Sequence, residues 1–267
     1  MFKDITLGQY YPGTSIVHKL DPRTKILITI ALLIGLFTVH SWCGFLPVVI
    51  FLIVAIKLSK VPFLFVLKGL KAIAVLVIIT GLFNVFLTEG TVLFKFGFLT
   101  ITYEGLNAAG FMIVRICLLI VVTSMLTLTT TPIMLTDGIE TLLSPLKKIK
   151  VPVHEFAMMM TIALRFIPTI MEETDKIIKA QSARGADFES GNILQRAKAM
   201  VPILVPLFIS AFRRADDLAV AMECRCYHGD HNRTKLKQLH FSLADLIAMF
   251  IIVFVFALQF VVEVIKL

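Results

Sequence analysis

What most narrows the possible folds of this chain is a series of apolar runs, at about 25–40, 42–56, 63–88, 106–130 and 242–265. A helix of roughly 20 apolar residues crosses the ~30 Å hydrocarbon layer of a bilayer, and there a helix satisfies its own backbone hydrogen bonds. Each run is long enough to span, or nearly so, the first two being the shortest. The expected fold is therefore an all-α integral membrane protein with about five transmembrane helices. The chain is 58% hydrophobic and holds 22 Phe, against about half apolar for an ordinary soluble domain. Residues Met1 to Thr6 lack a basic stretch leading into an apolar one, so no cleavable signal peptide is expected.

Charge divides the polar segments into two classes. Lys19, Arg23 and Lys25 precede or open the first run, Lys57, Lys60, Lys68 and Lys71 cluster around the junction of the second and third, and 131–241 carries fifteen Lys or Arg. The opposite loops hold only Lys95, with Lys266 at the tail. Positive charge stays on the cytoplasmic side, which places the N-terminus and 131–241 in the cytoplasm and the C-terminus outside. The net charge of +8 is then expected to set topology and meet anionic headgroups, with no nucleic acid as partner. Three regions follow: 1–130 with four helices, 131–241 as a cytoplasmic region, and 242–267 with the fifth helix.

The cytoplasmic region has its own pattern. A short helix is expected over about 133–143, and then two apolar stretches end early, 156–164 at Arg165 and 201–212 at Arg213 and Arg214. Neither stretch is long enough to span, so both are expected to belong to helices at or below the interface, with Pro168, Pro202 and Pro206 as places to bend. Residues 187–192, with Gly185 and Gly191, read as the turn of a helical hairpin, and 228–232 as its end.

Two stripes run along this hairpin. Met160, Ala163, Ile167, Ile170, Thr174, Ile177 and Gln181 alternate in steps of three and four, and the next station is Arg184. Leu204, Phe208, Ala211, Ala215, Leu218 and Met222 lead likewise to Arg225. Both arginines are expected on the packing face, while Glu172, Glu173, Arg213, Arg214, Asp216 and Asp217 fall on solvated faces. A guanidinium on a packing face needs a carboxylate or a ring of carbonyls, so a partner offering acidic residues is expected. The simpler alternative is that each arginine complements the negative end of its helix dipole.

The strings Ala183-Arg184-Gly185 and Cys224-Arg225-Cys226, with Gly8-Gln9-Tyr10, Pro12-Gly13, Ser15, His18 and Leu20-Asp21-Pro22-Arg23-Thr24-Lys25 at the start, resemble the transmembrane coupling subunits of energy-coupling factor transporters. The resemblance covers nearly the whole chain. It implies a non-catalytic subunit in a prokaryotic plasma membrane, whose Arg184 and Arg225 dock into grooves of two ATPase subunits. It also implies that the long helices cradle a separate substrate-binding membrane subunit, the S component, for uptake of a vitamin or metal ion. Met158, Met159, Met160, Ile167, Leu204 and Phe208 are the residues expected to meet that subunit. Cys224 and Cys226 stand where the family usually has Ala and Gly, which puts in question tight packing around the second arginine and favours two unlike ATPases.

Rival readings are weaker on chemistry. Cys224, Cys226, His228 and His231 are metal-ligand types, but residues two apart on a helix diverge and the spacing misses C-x₂₋₄-C. His154-Glu155 opens like a zincin motif, yet Met158 stands where the second His is needed. No phosphate-binding G-x-x-x-x-G-K-[ST] loop occurs, so energy must come from a partner, and no cofactor is called for. Arg115, inside the fourth run, is expected to hold the bundle together through a carbonyl or through Glu104. A stand-alone secondary transporter or channel is the remaining alternative. It would favour repeated halves and grouped intramembrane charges, and neither is evident.

Overall fold

A computed structural model describes residues 10–96, 99–186, 188, 192–227, 229 and 238–265. The helices are α1 (Ile16–Lys19), α2 (Pro22–Thr38), α3 (Phe45–Ser59), α4 (Phe63–Leu87), α5 (Tyr103–Thr129), α6 (Pro132–Leu142), α7 (Val153–Ala183), α8 (Ile193–Cys224) and α9 (Leu243–Ile265). Between α4 and α5 lies an antiparallel hairpin of β1 (Val92–Phe96) and β2 (Leu99–Thr102), pairing Val92 with Thr102 and Phe96 with Leu99. The expected all-α architecture holds apart from this hairpin, to which the sequence reading assigns no strand. Residues 1–9, His228, His231, Asp187, Gly191 and Lys266, named above, lie outside the described residues.

Five helical segments among the described residues have the length and apolarity to cross a membrane: Trp42–Ser59, Tyr103–Thr129, Val153–Ala183, Leu194–Cys224 and Leu243–Ile265. The number agrees with expectation, but the membership differs. α7 and α8 are included, at 31 and 32 residues, so the expectation that neither could be long enough is corrected. The cause is that helix continues through Arg165, through Arg213 and Arg214, and through all three internal prolines. α2 is 17 residues long, and α4 bends by 58° between Phe63–Lys71 and Ile73–Leu87.

The chain divides into two compact units. The first, from 10–141 and 238–265, packs α2, α3, α5 and α9 around Leu32, Leu36, Val39, Phe45, Val48, Val122, Ile252 and Val255. Backbone approach is close: a Cβ on Gly105 would lie 2.9 Å from the Val85 carbonyl oxygen, so only glycine lets α5 start against α4.

Polar pins fix this unit at both ends. The Asp245 carboxylate, 1% exposed, accepts from the Asp21 amide at 2.8 Å through Oδ1 and from the Ser242 amide and hydroxyl at 2.8 and 2.7 Å through Oδ2. Lys25 Nζ donates to the carbonyls of His18 and Thr129, and His18 binds the Ser15 hydroxyl and the Tyr11 carbonyl through its two ring nitrogens. The N-terminal motif is thus the knot that ties α1 and α2 to α5 and α9. At the other end Arg115 donates to the Val39 carbonyl just past α2 and lies over the Phe111 ring. Glu104 instead accepts from the Thr91 amide, so of the two partners expected for Arg115 the carbonyl is the one found.

Candidate functional site

The second unit, from residues 142 to 229, is built on α7 and α8. The two run antiparallel, as three cross-links show. Arg214 clamps Glu173 Oε2 through Nη2 at 2.8 Å and Nε at 3.1 Å, and the Ser210 hydroxyl donates to Glu173 Oε1. Gln181 Nε2 donates to the Pro202 carbonyl at 3.3 Å. The Tyr227 hydroxyl meets His154 Nε2 at 3.3 Å.

Glu173 and Arg214 therefore sit between the helices, not on solvated faces as expected from the stripes. The groove between the helices is lined by Ile162, Phe166 and Ile170 of α7 and by Ala211, Leu218 and Met222 of α8. Four of the six α8 stations, Ala211, Ala215, Leu218 and Met222, line the groove, while Leu204 and Phe208 are exposed. On α7 the first stations, Met160, Ala163 and Ile167, are exposed, while Ile170, Thr174, Ile177 and Gln181 are half-buried.

Arg184 and Arg225 occupy equivalent positions, each capping the C-terminus of its helix with nearly helical backbone (φ −87°, ψ 5° and φ −92°, ψ 11°). After each, the chain turns left-handed, at Gly185 with φ 89° and at Cys226 with φ 53°. Two backbone bonds then close each end. Gly185 N–H donates to the Ser182 carbonyl and Ala186 N–H to Gln181, while Cys226 N–H donates to Glu223 and Tyr227 N–H to Met222. This is the Schellman closure, in which the C′ residue must be left-handed and is usually Gly.

The closure explains the residue that follows each arginine. A Cβ on Gly185 would meet nothing within 4 Å, so the glycine is there for its backbone and not for tight packing. Cys226 adopts the same turn at the cost of a side chain in left-handed space, and the cysteine substitution leaves the geometry of the second end intact.

Both arginines are exposed, and neither has a side-chain partner among the described residues. They do not ride the packed face, because each lies just beyond the last helical residue. Ala183, Gly185, Cys224 and Cys226 beside them are exposed as well. Of the other surface candidates, Met159, Met160, Ile167, Leu204 and Phe208 are exposed and Met158 is half-buried. Among the described residues no group of three His, Cys, Asp or Glu could hold a metal. His154 is buried and faces Tyr227.

Known proteins share this sequence along most of its length. The profile of the CbiQ family, described as a cobalt transport protein, matches residues 13–236. The "Energy-coupling factor transporter transmembrane protein EcfT" of Clostridium kluyveri is 60% identical over 250 residues, 93% of each chain. Its counterpart in Ruminiclostridium cellulolyticum is 58% identical over 247 residues, 92% of each chain. That of Bacillus subtilis is 50% identical over 246 residues, 92% of this chain and 93% of the relative. Matches of this extent span both compact units and both arginine ends, and the chain belongs to the CbiQ/EcfT family of transmembrane components of energy-coupling factor transporters.

Proposed function

We propose that this chain is the non-catalytic energy-coupling scaffold of an importer, carrying ATP-driven motion from two ATPase subunits to a substrate-binding S component that takes up a vitamin or metal ion. The observation that carries this reading is the duplicated helix end. Two long helices terminate in the same backbone closure, and each presents one exposed guanidinium on a rigid support. A fixed guanidinium suits a bidentate bond to a carboxylate in a partner groove, and coupling needs contacts that differ between two states of that groove.

The two ends differ in flanking residues, Ala and Gly around Arg184 and Cys on both sides of Arg225, which favours two unlike ATPases. Met159, Met160, Ile167, Leu204 and Phe208, with Met158 at the edge, supply an apolar outer surface suited to a membrane partner, and methionine adapts readily to a changing contact. In this reading α7 and α8, although long enough to span, lie with the rest of 131–241 on the cytoplasmic side, the N-terminus is cytoplasmic and the C-terminus lies outside.

The test replaces both arginines. Arg184→Glu with Arg225→Glu should abolish ATPase co-purification and uptake. Each single variant should weaken docking by two to three decades, since losing one partner of a buried charge pair costs roughly 3–5 kcal/mol. Retention of both properties in the double variant, or uptake by the chain alone in liposomes, would overturn the reading.

A further inference from the structure

We propose that residues 57–71, the end of α3 and the first limb of α4, form a binding site for anionic phospholipid headgroups at the membrane surface. The backbone supplies the platform. Phe63–Lys71 leaves the line of Ile73–Leu87 by 58°, so when the second limb crosses a bilayer the first is deflected toward its plane. Val66, fully buried against Val61, Met125 and Leu128, holds the limb to the end of α5.

The opposite side of the limb is amphipathic. At 100° per residue Leu64, Lys68 and Lys71 point away from Val66, with Leu67 on the flank, and all four are exposed, Leu64 by 71%. Phe63 is exposed beside them. Lys60, in left-handed conformation with φ 57°, reverses the chain between α3 and α4, and its amide bonds to the Lys57 carbonyl. The turn thereby places exposed Lys57 and Lys60 at the root of the limb.

Among the described residues nothing neutralises this charge. No Asp or Glu occurs from residue 22 to 88, nor from 105 to 136, which covers α3, α4 and all of α5 beyond its first turn. None of the four lysines has an ion-pair partner among the described residues, and Lys68 lies over the Phe65 ring at 4.8 Å. Apolar side chains that enter the acyl boundary, with lysine stems carrying ammonium groups to the headgroup level, are the chemistry of a helix lying in the interface. Uncompensated lysines at that depth attract anionic lipid, and the attraction is screened by salt.

The experiment needs neither the ATPases nor a known orientation. The full chain is placed in nanodiscs of phosphatidylcholine with phosphatidylglycerol in both leaflets, and retained lipid is read by native mass spectrometry. The native chain should retain phosphatidylglycerol over phosphatidylcholine by about tenfold or more, declining with salt. K57Q/K60Q/K68Q/K71Q should lose that preference, K57R/K60R/K68R/K71R should keep it, and the charge-matched control K176Q/K179Q/R196Q/K198Q should also keep it. Inorganic phosphate added to phosphatidylcholine discs should give no thermal stabilisation. The proposal fails if the glutamine variant retains the preference, if the control loses it equally, or if phosphate alone stabilises as well as the lipid.

Discussion

The Gln181 side chain donates to the Pro202 carbonyl, the group that would receive the amide of residue 206 were that residue not proline. A proline inside a helix leaves the carbonyl four residues earlier without its donor. Here the neighbouring helix supplies one, three residues before Arg184. The defect in α8 thus becomes an anchor for the end of α7.

This coupling has a thermodynamic signature. Gln181→Ala should cost about 0.5 kcal/mol, a modest value because the bond is solvent-exposed. In a Pro206→Ala background the restored amide can bond to Pro202, and Gln181→Ala should then cost close to nothing. A double-mutant cycle on thermal unfolding checks it, and equal costs in both backgrounds would refute the link.

The two left-handed turns predict opposite responses. Gly185→Ala forces a side chain into left-handed backbone and should destabilise the α7 end by about 1 kcal/mol. Cys226→Gly relieves the same strain and should stabilise the α8 end by about 0.5–1 kcal/mol, somewhat offset by the greater freedom of glycine when unfolded. Hydrogen exchange at the Ala186 and Tyr227 amides, which close the two ends, reads each change directly: faster at Ala186, slower at Tyr227.

Glu173 and Arg214 are partly solvated, with side chains 24% and 38% exposed, so their pair should contribute about 0.5–1 kcal/mol. Arg214→Ala should lower the unfolding midpoint and loosen the spacing of α7 and α8. The exchange Glu173→Arg with Arg214→Glu should recover much of both. Distances between spin labels on the two helices would show whether the charge pair or mere side-chain bulk sets that spacing.

Asp245 should be the most sensitive polar position in the first unit. Asp245→Ala removes the acceptor of the Asp21 amide and of both Ser242 donors, and should cost about 1–3 kcal/mol, set by the one buried donor left stranded, the Asp21 amide, since Ser242 is exposed. Asp245→Asn retains one oxygen acceptor and should cost less. Unfolding in detergent measures both, and equal losses would argue against the hydrogen-bond account.

Apolar runs are a one-dimensional signal, which is why α2, α3, α4, α5 and α9 begin and end within three residues of the runs that predict them. The arginine ends were legible for a similar reason, since Arg184 and Arg225 continue a helical period up to the residue where the helix stops. What periodicity lacks is the azimuth at which two helices meet. Glu173 and Arg214 look like solvated charges until the partner helix is present, and Gln181 looks like one more station on a stripe. The buried knot around Asp245 joins residues more than two hundred positions apart, a relation that a single sequence does not encode locally. A left-handed Cys226 follows Arg225 without any glycine to announce it.

The clamp at Glu173 and Arg214 stands eleven residues before Arg184 on one helix and eleven before Arg225 on the other, about 16 Å of helix in each case. Because the helices run in opposite directions, that makes it a fulcrum with arms of equal length. A turn of one helix against the other about this point sweeps both guanidinium groups through matching arcs in opposite senses. A balanced pull on the two ends is converted into rotation, whereas a pull on one end alone drags the pivot itself.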